Sequence, residues 1–482
     1  MTHTLRDQRG TSLLLLASAL LGFGLSSPMG GLVALGVLFV STYAVALLCP
    51  AWYPLALWFA AAPILRFFIK VNLPAGVPDL NAERILLLFA IVAIAPRLFE
   101  CGVRLRSNAT FLLPTAGLAL YVLLRTLSIR DSPAGIAEAG RLALNGVWVP
   151  FFLYLLTLAT VCRREQMDDL MRAVIAVLAL GGALGIAEVL LNLEQNIMVH
   201  LGGGNDETYQ VWHSGGLRRA AGPFANPATL GGVAGLASLF AHRRLLEVKT
   251  APGATALMTW SALCLFFCMT RGPWVATLAG HLVLLSVTRR LSVMVKVLMV
   301  AVLFVGPLLV GTARHLEKAQ QRVHDQGTIY ARLALADRGL QMISESPGRG
   351  QGMGAFNALN NTYHSALANP QRLISHNTYI TTAVDSGLVA LAPLFFAIGY
   401  LLRQGWQRAK RTNRWGRGRI AFLMGGITLF LVQGMFIDLT HANYDGALLL
   451  CLMGMLIIEL GLPRDKRATS APRVLALERK AW

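Results

Sequence analysis

The sequence predicts an all-α, polytopic membrane protein of about 12–14 transmembrane helices with one large, partly helical loop. Three observations carry that prediction. The 482 residues are 55% hydrophobic and only 14% charged, against roughly 25% charged in a soluble domain. Mean hydropathy is +0.56. Apolar runs such as Leu13–Leu25, Leu142–Val161 and Val293–Val310 recur along the chain, each near the ~20 residues that cross a ~30 Å hydrocarbon core. A soluble multidomain enzyme, a fibrous protein and a disordered chain are excluded.

The first candidate span is Ser12–Leu25. Arg6 and Arg9 before it, and Ser26-Ser27-Pro28 after it, give it the look of a cleaved signal peptide. The many spans that follow argue for a retained helix. Apolar runs then fall near Gly31–Leu48, Tyr53–Phe68, Ile85–Ala95, Phe111–Leu124, Leu142–Val161 and Leu170–Leu191. A second group covers Ala228–Ala241, Ala254–Met269, Pro273–Val287, Val293–Val310, Asn377–Leu402, Ile420–Ile437 and Ala447–Leu462.

The formal net charge of +19 suits nucleic acid only if the basic residues form one patch. They do not. With the N-terminus in the cytoplasm and the spans alternating, every short basic loop falls on the cytoplasmic side, as the positive-inside rule demands. These loops include Arg97/Arg104/Arg106, Arg163/Arg164, Arg243/Arg244, Arg289/Arg290 and the run Arg403–Arg419. The charge is a topology signal, no nucleic-acid partner is expected, and both termini are cytoplasmic. The chain divides into a helix bundle over 1–313, a periplasmic loop over 314–375, C-terminal transmembrane helices over 376–462 and a basic cytoplasmic tail over 463–482.

Asp131–Arg141, the Gly-rich Glu194–Asn226 and the long His315–Ser375 remain on the outer side. The last is too long for a structureless connector. It holds a helix-like stretch, Ala331–Ser344, with Leu333, Ala336, Leu340 and Ile343 on one face, and reads as a lid over the outer mouth. The six cysteines, Cys49, Cys101, Cys162, Cys264, Cys268 and Cys451, lie within spans or at their inner ends, so no disulfide is expected. Cys264 and Cys268 share a helix face, where packing explains them better than a metal does. Gly348–Gly354 lacks the Lys-Ser/Thr of a nucleotide-binding loop.

Ser375-His376-Asn377-Thr378-Tyr379 immediately precedes a long apolar helix. Ser375 suits the N-cap position, which puts His376 in the first turn at the outer surface. The helix dipole there favours a neutral imidazole, suited to general-base work; a solvated interfacial histidine is an equally open reading. Asp385 lies about 13 Å deeper, where an acid is costly and calls for a partner on another helix. Arg271, in the turn Thr270–Pro273, is an outer arginine against the charge bias. Arg218 and Arg219 precede the Gly/Pro-punctuated Ala220–Pro227. Such arginines either snorkel or clamp an anionic group bidentately. Asp438, His441, Asn443, Tyr444 and Asp445 cluster in the last outer turn, either as metal ligands or as a polar hairpin capping two helices. Arg66, Lys70, Asp79, Glu83 and Arg84 line the mouth or form solvated pairs.

This constellation resembles the O-antigen ligase/polymerase superfamily of bacterial membrane glycosyltransferases. His376-Asn377, nine further residues, then Gly387 matches the family's His-Asn/Ser/Gln…Gly signature, with Asp385 two before the glycine. Gly348–Phe356 resembles the family's Gly-rich loop segment, Arg219–Gly222 with Asn226-Pro227 its first arginine motif, and Thr270–Gly272 its second. The resemblance implies a GT-C-like fold in the bacterial inner membrane with its active site facing the periplasm. It implies inverting, metal-independent transfer of a glycan from undecaprenyl diphosphate to a glycan or lipid A-core acceptor, without a cofactor. His376 would activate the acceptor hydroxyl. Arg219 and Arg271 would bind the diphosphate, with Arg218, Asn377, Asp385 and Gly387 in support. A span count above the family's usual dozen tilts the expectation towards a polymerase of exopolysaccharide or O-antigen units. An O-antigen ligase is the alternative, and a lipid-linked sugar flippase is the rival from another class.

Overall fold

The computed structural model describes residues 50–68, 70–71, 80–105, 109–191, 193, 213–214, 217–224, 226–248, 251–290, 326–363 and 375–462. The expected spans Ser12–Leu25, Gly31–Leu48 and Val293–Val310, and the tail 463–482, lie outside the described residues. Within them the chain is an all-α membrane bundle. Its helices are α1 (Tyr53–Leu65), α2 (Ala82–Leu105), α3 (Ala109–Leu127), α4 (Ile136–Thr160), α5 (Arg164–Leu190), α6 (Pro227–Glu247), α7 (Pro252–Cys268) and α8 (Arg271–Thr288). After them come α9 (Gln326–Glu345), α10 (Ala355–Leu359), α11 (Thr378–Lys410), α12 (Arg414–Gln433) and α13 (Asn443–Gly461). Two two-residue antiparallel pairings, Lys70–Val71 with Leu80–Asn81 and His213–Ser214 with Leu217–Arg218, join loop segments.

By length and composition α4, α5, α11, α12 and α13 can each cross a membrane, and α1, α7 and the Phe111–Leu127 part of α3 are shorter apolar helices. The short run Ile85–Ala95 proves to be part of the 24-residue α2. α4 includes a π-helical segment at Leu144–Trp148, whose Asn145 accepts two hydrogen bonds from Arg84 at 2.9 and 3.0 Å.

Helices in lipid gain little from hydrophobic burial against one another, so close backbone approach and polar contacts do more of the holding. α8 and α12 meet where Gly280 and Gly425 face each other; a Cβ on either would lie 2.9 or 2.7 Å from the other's carbonyl oxygen. α6 and α13 are buried along most of their length. Between them Asp445 accepts from Thr229 Oγ1 at 2.9 Å and from Gln433 Nε2 at 3.3 Å. Gln433 Nε2 also donates to Ala228 O at 3.0 Å.

The helix ends that carry Arg164, Arg243, Arg408 and Arg419 are tied by buried or half-buried ionic and carbonyl contacts. Arg164 and Arg419 both reach Glu459, at 3.2 and 3.6 Å. Arg243 grips Asp168 through two nitrogens, at 2.8 and 2.9 Å, and Glu247 at 3.0 Å. Arg408 donates to Leu462 O at 2.8 Å. The opposite end of the bundle holds the sequence motifs.

Candidate functional site at the motif end of the bundle

α11 begins with a side-chain cap. Asn377 Oδ1 accepts from the amides of Tyr379 and Ile380, at 3.0 and 3.1 Å, satisfying two of the donors a helix start leaves open. This corrects the expectation that Ser375 is the cap. Ser375 is buried and instead braces the turn, accepting from Asn377 N at 3.1 Å and lying within hydrogen-bond reach of Thr381 Oγ1. His376 therefore precedes the cap rather than sitting in the first helical turn. It is half-buried, and its φ of 52° puts it in the left-handed region. A non-glycine residue held there costs of order 1–2 kcal/mol. The chain just after it is fixed: Thr378 N donates to Gly434 O at 2.8 Å, and Thr378 Oγ1 donates to Ile437 O at 2.9 Å. The strain is set by this surrounding hydrogen bonding.

The arginine motifs border the same region. Ala220 N, next to Arg219, donates to Phe267 O at 3.0 Å near the end of α7. Three residues beyond that helix end, Arg271 opens α8 after a tight turn in which Met269 has φ 47°. Gly272 lies against Phe436, in the stretch that also receives Thr378. Three segments distant in sequence thus line one end of the bundle. Arg219 is half-buried and Arg271 is exposed there. Arg218 differs from its neighbour: it is buried and stands 4.0 Å from Glu188. Glu188 also accepts from Gly222 N at 3.3 Å, so Arg218 belongs to an internal pair.

Asp385 finds the interhelical partner its depth requires. Arg125 Nη1, from α3, is 3.4 Å from Asp385 Oδ2 and donates to Ser386 Oγ at 3.1 Å. Ser386 Oγ is in turn 2.9 Å from Ser128 Oγ. Immediately beyond, the expected continuous span is broken. Gly387 has φ 77° and ψ 167°, non-helical values inside α11. That conformation is essentially open only to glycine.

The Gly-rich loop segment fills the break. Gln351 N donates to Val384 O at 2.7 Å, Gly352 N to Asp385 O at 3.0 Å, and Leu388 N to Pro347 O at 2.8 Å. Backbone groups freed by a broken membrane helix must find partners within the protein, and this strap supplies them. Gly350, with φ 75°, comes so close that a Cβ would lie 2.5 Å from the amides of Ser386 and Gly387. Beside the strap opens a cleft of about 700 Å3, lined by Ser128, Asp131, Glu345, Arg349 and Ser386 together with Leu127 and Val389.

Upstream of the strap, α9 contains the helical stretch expected at Ala331–Ser344, but presents a different face inward. Leu335, Met342 and Arg338 are buried, whereas Leu333 and Leu340 are 49% and 61% exposed. The buried set packs on Phe356 and Val384, which the loop topology brings to that side.

The other polar candidates separate. Asp438 Oδ1 accepts from Thr440 N at 2.9 Å and its Oδ2 is 4.0 Å from His441, which lies 3.2 Å from Asn357. Tyr444 donates to Phe59 O at 2.7 Å, while Asn443 donates to Glu83 at 3.4 Å. Glu83 pairs with Arg66 at 3.5 Å. Of the two readings these contacts support the polar hairpin, which ties α13 to α1 and α2 rather than capping a helix. Cys264 and Cys268 sit buried against the close-packed Gly182 and Gly231, which accords with packing.

Arg125 escaped sequence reasoning because it follows an apolar run, where an arginine looks like any snorkelling residue. Ser128 and Ser386 carry no pattern at all. The signal for the strap was the spacing of Gly348, Gly350, Gly352 and Gly354, legible as a Gly-rich segment but not as a partner for Gly387.

No curated protein matches the chain. Residues 256–395, which contain Arg271, the strap, His376 and Gly387, match the family Wzy_C, O-Antigen ligase, consistent with the O-antigen ligase/polymerase superfamily.

Proposed function

We propose that this protein is a membrane glycosyltransferase that moves a preassembled glycan from undecaprenyl diphosphate to an acceptor hydroxyl on the periplasmic face, polymerising exopolysaccharide or O-antigen repeat units. The family match supports an O-antigen ligase/polymerase-type enzyme. The observation that carries the finer reading is the meeting of three motif segments, those of Arg219, Arg271 and His376, at the end of the bundle opposite the basic loops. The positive-inside rule makes that end the outer one.

In this reading the acceptor oxygen attacks the anomeric carbon of the donor glycan as its proton passes to the His376 imidazole. The bond from the anomeric carbon to the phosphate oxygen breaks, with inversion. Undecaprenyl diphosphate departs with its developing charge held by Arg219 and Arg271, whose planar forks match phosphate geometry. No metal ion or cofactor is invoked. Asn377 and Gly387 act through the backbone that presents His376, and Arg218 supports Arg219 from an internal pair.

A ligase acting on lipid A-core uses the same chemistry with another acceptor, and the family's description favours it. A flippase would want ionisable residues or broken helices near mid-membrane; the break at Gly387 meets the second of these terms, with its freed backbone groups taken by the strap. The deep acids Glu188 and Asp385 are instead engaged by Arg218 and Arg125.

The test is transfer by the purified full chain in proteoliposomes, with lipid-linked glycan extracted from the host cells as donor. His376→Ala should lower the rate about 10²–10⁴-fold, the usual worth of general-base assistance. Near-normal transfer at equal protein level would overturn the assignment. Movement of labelled donor across the bilayer without transfer would replace it with the flippase. Glycan that loses chain length in a deletion strain identifies the polymerase; glycan that loses attachment to lipid A-core identifies the ligase.

A further inference from the structure

The stretch of α11 before its break, Thr378–Ser386, is about two and a half turns long. Helices that short do not hold themselves in water or fix their own direction. Gly387 interrupts the backbone at its lower end, so Leu388–Lys410 does not simply continue it. Its upper end is tied through Thr378 to Gly434 and Ile437, and through Tyr379 Oη to Leu431 O at 2.6 Å. At its lower end the strap takes the carbonyls of Val384 and Asp385, while Arg125 reaches the Asp385 carboxylate and the Ser386 hydroxyl.

Arg125 comes from α3, and α3 is bound to the other side of the break. Gly117 of α3 approaches so near α11 that a Cβ would lie 3.0 Å from Pro393 O and 3.3 Å from Ala397 Cβ. α3 therefore runs alongside the discontinuity like a splint. It packs on the distal half of α11 and holds the proximal half by one buried guanidinium.

We infer that Arg125 is a positioning residue for the transfer reaction, setting through Asp385 and Ser386 the direction of the half-helix that presents His376. The inference rests on the catalytic reading of His376 given above. The geometry gives the half-helix leverage. Ten residues separate His376 from Ser386, about 15 Å along a helix, so a tilt of about 4° at the lower end moves the upper end by about 1 Å. Misplacement on that scale costs on the order of 100-fold in rate. A single guanidinium nitrogen, Nη1, at the end of the long side chain reaches both groups, Asp385 Oδ2 at 3.4 Å and Ser386 Oγ at 3.1 Å.

The test is kinetic and uses the full chain in proteoliposomes. Replacing a buried ion pair by apolar residues of similar bulk commonly preserves stability, so the double variant Arg125→Met/Asp385→Leu should accumulate and bind undecaprenyl diphosphate as wild type does. Its kcat should fall about 100-fold with KM for the lipid-linked glycan unchanged. Wild-type kcat in that variant overturns the inference. Parallel loss of undecaprenyl diphosphate binding and kcat marks a merely structural pair and overturns it too. If the double variant does not accumulate, Arg125→Lys decides: it keeps a cation but on a shorter side chain, displaced from the place of Nη1 between Asp385 and Ser386, and should lower kcat without moving KM, whereas unchanged kcat overturns the inference. His376→Ala in the same assay keeps the two readings apart. An active His376→Ala removes the catalytic reading, while an inactive one beside fully active Arg125 variants removes only the positioning role.

Discussion

Arg125 and Asp385, 260 residues apart in sequence, meet at 3.4 Å with both side chains sealed from solvent. The acid sits two residues before a break in a membrane helix, and the base comes from a helix packed on the far side of that break. Ion pairs buried this deeply are poor sources of net stability. Their value here is geometric, since they fix one short segment relative to another.

The break itself should be intolerant of a side chain. A Cβ on Gly387 would lie 1.9 Å from Gly348 O, and its backbone conformation costs a non-glycine residue about 1–3 kcal/mol. Gly387→Ala should lower the melting temperature of the purified protein in detergent and loosen the strap towards limited proteolysis. Gly399 lies in the same helix with nothing within 4 Å of its Cβ position, so Gly399→Ala should leave both unchanged. Equal melting temperatures for the two variants would mean that the strap is not docked as described.

The arginines should differ from one another on conservative replacement. Arg219→Lys and Arg271→Lys should impair transfer severely at limiting donor, because a lysine cannot supply two coplanar donors to a diphosphate. Arg218→Lys should matter less to donor binding. Arg218 already faces Glu188 at 4.0 Å, so its effect should be read in protein abundance. Wild-type transfer by Arg271→Lys would reassign that residue to the membrane surface.

Topology can be read at α9, where Leu340 is exposed. In a cysteine-free background, Leu340→Cys should react with an impermeant maleimide in intact spheroplasts. Reaction only after lysis would put the loop in the cytoplasm and remove the periplasmic assignment of the site.

The membrane class, most of the spans and the gathering of basic loops at one end were legible in the sequence alone. Each depends on composition or charge counted locally, and the bilayer imposes a length and a sidedness that such counts reveal. The segments of Arg219, Arg271 and His376 were legible as motifs for the same reason, since order along the chain survives folding. What only the tertiary structure decided is how those residues are held. Asn377 rather than Ser375 caps α11, because the choice depends on backbone angles that place His376 at φ 52°. Leu335 and Met342 rather than Leu333 and Leu340 face inward from α9, because the docking surface comes from Phe356 and Val384 elsewhere in the chain. Arg125, the strap and Gly387 became a unit only through contacts between helices remote in sequence. A broken membrane helix must have its freed backbone groups paired, but which segment pairs them is a property of three-dimensional neighbours that no periodicity encodes.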